Sequence, residues 1–252
     1  MNPADLAAWH RRYLQQARWT AEIRRHTYRQ VDLARAGRVL EIGCGTGAIL
    51  SELPGYTQGE VFGIDLLHPA VRFARDQQPA ARLAAADTHR LPFPDGAFDA
   101  VLCNFLLLWV TSIPDVLAEA RRVTRSGGVV LALAEPDYAA RIDYPEPLEI
   151  LGRLQREALE GQGADTRAGR RLREAFHRAG LVDVQAGLVG GYWSSPPARE
   201  DFELEWEVLR RDVGSALPVD RLAALQEADW QAWQTGSRVL FVPTFYAWGT
   251  VP

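Results

Sequence analysis

The sequence predicts an α/β fold in which a mostly parallel, doubly wound sheet is covered by helices on both faces. Short β-rich runs alternate with helical runs between residues 38 and 136, and the crossovers that connect such runs make neighbouring strands parallel. The β-rich runs are apolar on both faces, which is typical of strands covered on both sides. The run "RVLEI" also leads straight into a segment with three glycines, as strands do before a tight turn into a helix.

The order of the predicted elements follows from apolar periodicity and from breaks at Gly and Pro. Apolar residues at helical spacing predict one or two amphipathic helices over residues 4–35. Alternating strands and helices follow. The strands are predicted at residues 38–42, 60–65, 81–87, 98–104 and 128–136, and the helices at residues 47–53, 68–78 and 112–125.

Beyond Pro136 the sequence becomes mainly helical. No repeat, low-complexity segment or flexible linker separates this part from the rest, so residues 1–252 are predicted to form a single domain. Helices are predicted at residues 146–160 and 168–179, a strand at 181–189, a Trp-bearing helical section at 197–236, and a last strand at 238–250.

The composition excludes several classes of function. Of the 252 residues 47% are hydrophobic, which suffices for a full core, and the formal net charge of −4 argues against nucleic-acid binding. Cys44 and Cys103 have neither a CxxC partner nor a His–Cys cluster, so we expect no metal site and a reducing, cytoplasmic compartment. No signal peptide is predicted. The longest apolar run, residues 100–110, is about half a membrane span, so no membrane association is expected.

The glycine segment "GCGTG", residues 43–47, indicates a bound nucleotide. Glycines allow a ligand to approach the backbone closely, although a tight turn without a ligand would look similar. The second predicted strand ends in Asp65 and the third in Asp87, which are placed to accept hydrogen bonds from a ribose diol and an adenine amino group. Three consecutive strands therefore bring suitable residues to one edge of the sheet, where open α/β sheets bind ligands.

The residues around the glycines narrow the choice of nucleotide. The spacing Gly43-x-Gly45-x-Gly47 differs from the dinucleotide fingerprint, which disfavours a nicotinamide-dependent oxidoreductase, and the segment lacks the lysine of a P-loop. Glu41 would repel a pyrophosphate, but its charge suits an ammonium group. Because S-adenosylmethionine joins adenosine to a cationic amino-acid tail, we expect it to be the ligand.

Four segments resemble, in the same order, the class I S-adenosylmethionine-dependent methyltransferases. The resemblance is strongest to the bacterial small-molecule branch, which includes ubiquinone/menaquinone-biosynthesis-like enzymes. It implies a seven-stranded sheet with an antiparallel last strand and a cofactor-binding core at residues 37–136. A helical cap would come from the N-terminal helices at residues 1–36 and an insertion within the substrate-side region, residues 137–252. The matching segments are residues 39–47, 61–75, 85–110 and 117–136.

The resemblance also assigns roles to individual residues of the cofactor site. It places Glu41 and four residues of the glycine segment at the methionine end, two residues beside the ribose and adenine, three at the adenine edge and two near the reactive methyl. In that order they are Glu41, Gly43, Cys44, Gly45 and Gly47; Asp65 and Leu66; Ala86, Asp87 and Thr88; and Asn104 and Phe105.

The expected activity is transfer of a methyl group to a small, partly apolar organic acceptor. An in-line displacement from a sulfonium needs mainly proximity and orientation, so a general base is optional, and we assign no catalytic residue. Asn104 is followed by Phe-Leu-Leu, not by Pro-Pro-aromatic, so the pattern of methylases acting on bases or glutamine is missing. The alternative is a non-catalytic S-adenosylmethionine-binding regulatory or partner protein.

Candidates for the substrate side lie beyond the fifth strand. Asp137 and Tyr138 face the acceptor side, with loop structure as the alternative, and Arg167 is a candidate for binding an acidic group, with a helix N-cap as the alternative for its segment. Aromatic residues of the last quarter are candidates for lining a closed pocket, under a lid formed by residues 197–236 and the N-terminal helices, with packing in the core as the alternative. They are Tyr192, Trp193, Phe202, Trp206, Trp230, Trp233, Phe241, Phe245, Tyr246 and Trp248.

The N-terminal helices offer candidates for binding the carboxylate of the cofactor. They are Gln16, Trp19 and Arg24.

Overall fold

A seven-stranded sheet forms the centre of the computed structural model, which describes residues 3–189 and 196–252. Its strands lie in the order β3-β2-β1-β4-β5-β9-β7, and two further strands, β6 and β8, pair with each other in a separate small sheet. The strands are β1 (Arg38–Ile42), β2 (Glu60–Asp65), β3 (Arg82–Ala85), β4 (Phe98–Cys103), β5 (Thr124–Pro136), β6 (Ile142–Tyr144), β7 (Val182–Val189), β8 (Val239–Phe241) and β9 (Thr244–Thr250).

The predicted parallel sheet with an antiparallel last strand is confirmed. Strands β1 to β5 pair in parallel, whereas β9 runs antiparallel to both of its neighbours, β5 and β7. Helices cover both faces. They are α1 (Pro3–Trp19), α2 (Ala21–Gln30), α3 (His68–Gln77), α4 (Ile113–Val123), α5 (Glu149–Gly161), α6 (Ala168–Arg178), α7 (Arg199–Val213) and α8 (Val219–Gln234).

Alternating residues along the central strands divide the core between the two faces of the sheet. Val39 of β1 packs in a cluster with Tyr28 of α2, whereas the next residue, Leu40, packs in another with Leu117 of α4 and Phe176 of α6. Successive side chains of a strand point to opposite faces, so a strand buried on both sides needs an unbroken apolar run. This is why the central strands were predictable from sequence.

A helical cap with its own core lies beside the carboxyl ends of the strands. We use "cap" for α5, α7, α8 and the β6–β8 pair. Its apolar core is built around Trp206, and its polar core around Arg238, which contacts the carboxylates of Asp143 and Asp229 at 2.7 and 2.5 Å. The indole N–H of Trp206 also donates to Asp229, so the two cores are joined.

Two sequence predictions were wrong in detail. The helix expected at residues 47–53 is a series of turns that ends in a 3-10 helix at Leu53–Gly55. The segment is short and bounded by Gly47 and Pro54, and packing of Ile49 and Leu50 against the sheet takes the place of regular helical hydrogen bonding. The last strand expected at residues 238–250 is divided at Pro243, whose backbone cannot donate to a ladder.

None of the helices within the described ranges has the length and hydropathy that a bilayer span requires. The same residues contain no group of three or more His, Cys, Asp or Glu side chains arranged to hold a metal ion.

Candidate functional site

The glycine loop, residues 43–47, lies at the carboxyl end of β1 and is enclosed by other parts of the chain. Gly43 and Gly45 have φ angles of +70° and +51°, which favour glycine. A Cβ on Gly43 would lie 2.6 Å from Leu106 Cδ1, and a Cβ on Gly45 would lie 3.3 Å from the Tyr13 ring. The glycines therefore serve close packing of the protein on this loop as well as the approach of a ligand.

Asp65, at the end of β2, connects the glycine loop to the next crossover. One carboxylate oxygen accepts a hydrogen bond from the N–H of Gly45 and the other from the N–H of Leu67, each at 2.8 Å. A carboxylate oxygen accepts more than one hydrogen bond, so Asp65 retains acceptor capacity for a ribose diol. The carboxylate is thus held in position before any ligand contacts it.

Replacing this carboxylate tests the cofactor site directly. Asp65→Ala should weaken S-adenosylhomocysteine binding by about 1–3 kcal/mol, because it removes a ribose acceptor and leaves the Gly45 N–H without its partner. Isothermal titration calorimetry on both proteins measures the change. Asp76→Ala, at an exposed position on α3, is the control that should bind as the wild type does. Equal affinities for the two variants would contradict the assignment of Asp65.

Leu66 presents an apolar surface beside Asp65. Its side chain is 69% exposed and the next residue, Leu67, is 50% exposed, although both follow a buried strand. Contiguous exposed apolar side chains indicate a binding surface, whereas single exposed apolar residues do not. The position fits the predicted role of Leu66 against an adenine ring.

Glu41 is buried at the methionine end of the predicted site. Its Oε2 atom has no hydrogen-bond partner among the residues that the structure describes. Burial, and secondarily the negative charge of Glu52, raise the pKa of Glu41 well above its usual range. A buried acceptor without a partner suits a ligand that brings a donor, and an ammonium group is such a ligand.

The end of β3 carries the residues expected at the adenine edge. The N–H of Ala86 donates to the Asp65 carbonyl, Thr88 is buried, and Asp87 is exposed but accepts hydrogen bonds from the backbone and the ring of His89. These hydrogen bonds lower the pKa of Asp87, and the bond from the His89 backbone N–H contributes most. The other ring nitrogen of His89 contacts the Thr111 hydroxyl at 3.1 Å, so His89 connects the segment after β3 to the segment just before α4.

Asn104 and Phe105 follow β4, as predicted, and begin a tight turn. Phe105 has a φ of +54°, which is uncommon outside glycine, and its N–H donates to the Ala134 carbonyl at 2.9 Å. The Oδ1 atom of Asn104 is buried and lacks a partner within the described ranges. Cys44 and Cys103 are both free and buried.

Glu135, near the end of β5, was missed by sequence reasoning. Its side chain is fully buried, and its Oε1 accepts a hydrogen bond from the N–H of Leu106 at 3.1 Å. Burial raises the pKa of Glu135 to about 7, against the hydrogen bonds that Leu106, Leu107 and Leu108 donate to it. The signal in the sequence was a single acid in the otherwise apolar run "VVLALAEP", where a strand buried on both faces disfavours a charge.

The shifted Glu135 carboxyl should make stability depend on pH. Its pKa rises from 4.5 to about 7 on folding, so the native state binds the extra proton between those values. Stability from this group is therefore greatest below pH 4.5 and falls by roughly 3 kcal/mol as the pH rises to 7. Glu135→Gln should abolish this part of the slope. Urea unfolding at pH 5 and pH 8 gives the change in the free energy of unfolding between the two pH values. An equal change in the wild type and in Glu135→Gln would refute the raised pKa of Glu135.

The N-terminal helix contacts the glycine loop through residues that sequence reasoning did not select. The His10 ring lies 2.9 Å from the Thr46 hydroxyl, and Tyr13 packs over Gly45. Of the residues expected there, Arg24 pairs with Glu52, and Trp19 is half exposed. The helical periodicity was correct, but the register of α1 against the loop depends on tertiary packing that a single sequence does not specify.

The three substrate candidates lie in different surroundings. Asp137 is 1% exposed and both of its carboxylate oxygens contact Arg170, which supports the structural alternative for this residue. Arg167 is exposed at the start of α6, where its N–H donates to the Asp165 carboxylate. Tyr138 packs with a small apolar cluster and lies near Arg12, so it alone of the three faces the cap and α1 together.

The aromatic residues expected to line a lid mostly form the cores of the cap and the sheet. Phe202, Trp206, Trp230 and Trp233 pack with one another and with α5, and Trp248 stacks on Tyr246 along β9. Their number reflects the separate core of the cap, so they do not by themselves indicate an aromatic pocket. Tyr192 and Trp193 lie outside the described residues.

The residues at this crevice fit S-adenosylmethionine. Glu41 offers a buried acceptor at the amino-acid end, Asp65 offers acceptor capacity at the ribose, and Leu66 offers an exposed apolar face for the base. The two carboxylates lie at neighbouring strand ends, because β1 pairs with β2. The geometry is therefore consistent with a nucleoside that carries a cationic tail.

Comparison with known proteins supports the same interpretation. The family model described as "Methyltransferase domain" matches residues 40–132. The ubiquinone/menaquinone biosynthesis C-methyltransferase UbiE of Desulfotalea psychrophila is 30% identical over 63% of this chain and 73% of that protein. A 37.1 kDa protein in transposon TN4556 of Streptomyces fradiae is 34% identical over 86% of this chain and 64% of its own length. The chain spans between 33% and 64% of the first three curated relatives it matches.

Solved structures show a similar fold. A chain from the complex between the Haloferax volcanii Trm112 methyltransferase activator and a methyltransferase matches with a TM-score of 0.64 and 20% identity. The match covers 100% of this chain and 99% of the other. At this identity the similarity supports the architecture and not the substrate.

Proposed function

This chain belongs to the class I S-adenosylmethionine-dependent methyltransferases, and we propose that it methylates a small, partly apolar organic molecule. When bound, S-adenosylmethionine supplies a sulfonium methyl group, whose transfer to a nucleophilic atom releases a neutral thioether. The chain must therefore hold the acceptor in line with that methyl group and exclude water. The proposal concerns the kind of acceptor and the way in which the site admits it.

The observation that carries the proposal is the cover over the carboxyl ends of the strands. Helix α1 lies on the glycine loop through Tyr13, and its neighbouring side chain Arg12 forms an ion pair with Glu205 of α7. Arg18 of the same helix pairs with Asp201 at 2.5 Å. Helix α1 thus connects the glycine loop to α7 of the cap, and a site covered in this way would suit a small molecule better than a macromolecular surface.

The residues under this cover are partly apolar and partly charged. Tyr138 packs against Leu108 and Leu159, while the Arg12–Glu205 pair lies on the α1 side of the same region. An acceptor with an apolar body and one polar group would be complementary to both. This support replaces the aromatic lid expected from the sequence, since those aromatics pack inside the cap.

The atom that is methylated is left open between oxygen, carbon and nitrogen. Relatives of the chain carry names that span all three, including malonyl-[acyl-carrier protein] O-methyltransferase, phosphatidylethanolamine N-methyltransferase and ubiquinone/menaquinone biosynthesis C-methyltransferase UbiE. A general base is needed only where the acceptor must lose a proton before or during transfer. Positioning by the chain is the common requirement.

A screen with labelled cofactor tests the proposal. The protein is incubated with methyl-labelled S-adenosylmethionine and fractionated small-molecule extract, and labelled products are identified by mass spectrometry. We expect label in a small molecule and none with Gly45→Val, whose glycine loop should not accept the cofactor. Binding of S-adenosylhomocysteine without transfer to any small molecule would instead favour the alternative, a non-catalytic regulatory or partner protein.

A further inference from the structure

A single buried side chain holds the turn that follows β4. We call residues 104–108 the crevice turn. The Glu135 carboxylate, fully buried at the end of β5, accepts a hydrogen bond from the N–H of Leu106 at 3.1 Å, and the N–H groups of Leu107 and Leu108 are directed to it as well. A buried carboxyl group that accepts several backbone N–H groups restrains the segment that donates them, because hydrogen bonds are strong in a low dielectric.

The crevice turn touches both halves of the site. In its middle, Leu106 lies against the glycine loop, close enough to Gly43 that a Cβ on that glycine would be 2.6 Å from Leu106 Cδ1. At its end Leu108 packs with Tyr138, and its carbonyl accepts a hydrogen bond from the N–H of Asp165 at 2.7 Å. A movement of the turn would therefore shift the cofactor side and the acceptor side together.

We infer that Glu135 is a positioning residue for the cofactor site, which sets the glycine loop against the acceptor side by holding the crevice turn. The inference rests on the proposed function, because it requires the cofactor to bind at the glycine loop. A purely apolar core would be simpler to build here, since Oε2 of Glu135 has no partner among the described residues. The anchoring of the turn explains why an acid is placed at this position.

The surroundings of Glu135 contain few competing groups. The Cys103 thiol of β4 lies 3.9 Å from Oε1, and the nearby Asp137 carboxylate is neutralised by Arg170 of α6. The polar atoms that contact the carboxylate are therefore mainly the N–H groups of the crevice turn. Removing the carboxylate should act on the turn before it acts on any other part of the core.

Two variants and two measurements test the inference on the full chain. Glu135→Ala should raise the dissociation constant of S-adenosylhomocysteine by about tenfold or more in calorimetry, whereas Glu135→Gln, which keeps an acceptor oxygen for Leu106, should stay within about threefold of wild type. In the free protein, the amides of residues 106–108 should exchange hydrogen about tenfold faster in Glu135→Ala. Rescue by glutamine separates anchoring of the turn from a need for charge.

The matched control is Asp99→Ala. Asp99 is also a carboxylate that accepts two backbone N–H groups, from Gly37 and Arg38, but it lies at the start of β4, at the opposite edge of the sheet. The Asp99→Ala substitution should lower the melting temperature of the protein without changing its affinity for S-adenosylhomocysteine. Equal losses of affinity in Asp99→Ala and Glu135→Ala would reduce Glu135 to a general stability residue and overturn the inference.

A second route remains if Glu135→Ala does not fold. Leu106→Ala removes the contact between the crevice turn and Gly43 while leaving the anchor in place, so it should weaken S-adenosylhomocysteine binding by about tenfold. Unchanged affinity in Leu106→Ala would overturn the inference. A wild-type protein that binds S-adenosylhomocysteine but labels no small molecule would count against the proposed function alone, and the inference would stand.

Discussion

Gly45→Val is expected to abolish measurable binding of S-adenosylhomocysteine, with a loss of at least about 100-fold. Gly45 has a φ of +51°, and its Cβ position lies 3.3 Å from the Tyr13 ring. A β-branched residue in this backbone conformation is strained by roughly 1–3 kcal/mol, and the added methyl groups must also displace Tyr13 or enter the space of the ligand. Calorimetric titration of both proteins gives the comparison.

Gly55→Val provides the matched control. Gly55 lies ten positions further along, and a Cβ there would meet nothing within 4 Å. This variant should bind S-adenosylhomocysteine as the wild type does and should keep a similar melting temperature. If Gly45→Val bound the ligand with wild-type affinity, the glycine loop would not be the cofactor site.

Arg238→Ala is expected to destabilise the protein by about 3–5 kcal/mol, the cost typical of breaking a buried ion pair from one side. Arg238 is 3% exposed and lies between Asp143 and Asp229, at 2.7 and 2.5 Å. Without the guanidinium, the buried carboxylates of Asp143 and Asp229 lose the positive charge that lies between them. Asp143 still pairs with Arg141. Urea unfolding followed by circular dichroism measures the loss.

A surface pair gives the reference for this second prediction. Arg178 pairs with Glu174 at 2.8 Å on α6, and both side chains are mostly exposed. Arg178→Ala should therefore change the free energy of unfolding by less than about 1 kcal/mol. Similar losses in Arg178→Ala and Arg238→Ala would mean that the polar core of the cap contributes nothing beyond an ordinary surface contact.

The strands of the central sheet could be predicted because burial on both faces leaves a clear pattern. Val101 and Leu102 of β4 face opposite clusters, so neither position tolerates a polar residue. The ends of the strands were predicted less accurately than their centres. Strand β5 begins at Thr124, four residues before the predicted start. Gly127 and Gly128 resembled a terminus, yet here they lie inside a strand whose beginning pairs irregularly with β4.

The candidate site was only partly predictable. Asp65 and Glu41 follow a spacing that motif reasoning recognises, and the structure places both at the crevice. Tyr13, Leu106 and Glu135 carry no motif, because their importance comes from contacts between segments far apart in the chain. The aromatic residues misled for a related reason, since a Trp-rich segment looks the same whether it lines a pocket or fills the core of a cap.

The packing of the glycine loop also bears on the thermodynamics of ligand association. Its three glycines pack against side chains from three distant segments, namely Leu106, Tyr13 and Ala74. Glycine-rich backbone normally loses much conformational freedom when a ligand immobilises it. Here folding itself has already restricted that freedom, so association should proceed with a small entropic penalty and little rearrangement of the main chain.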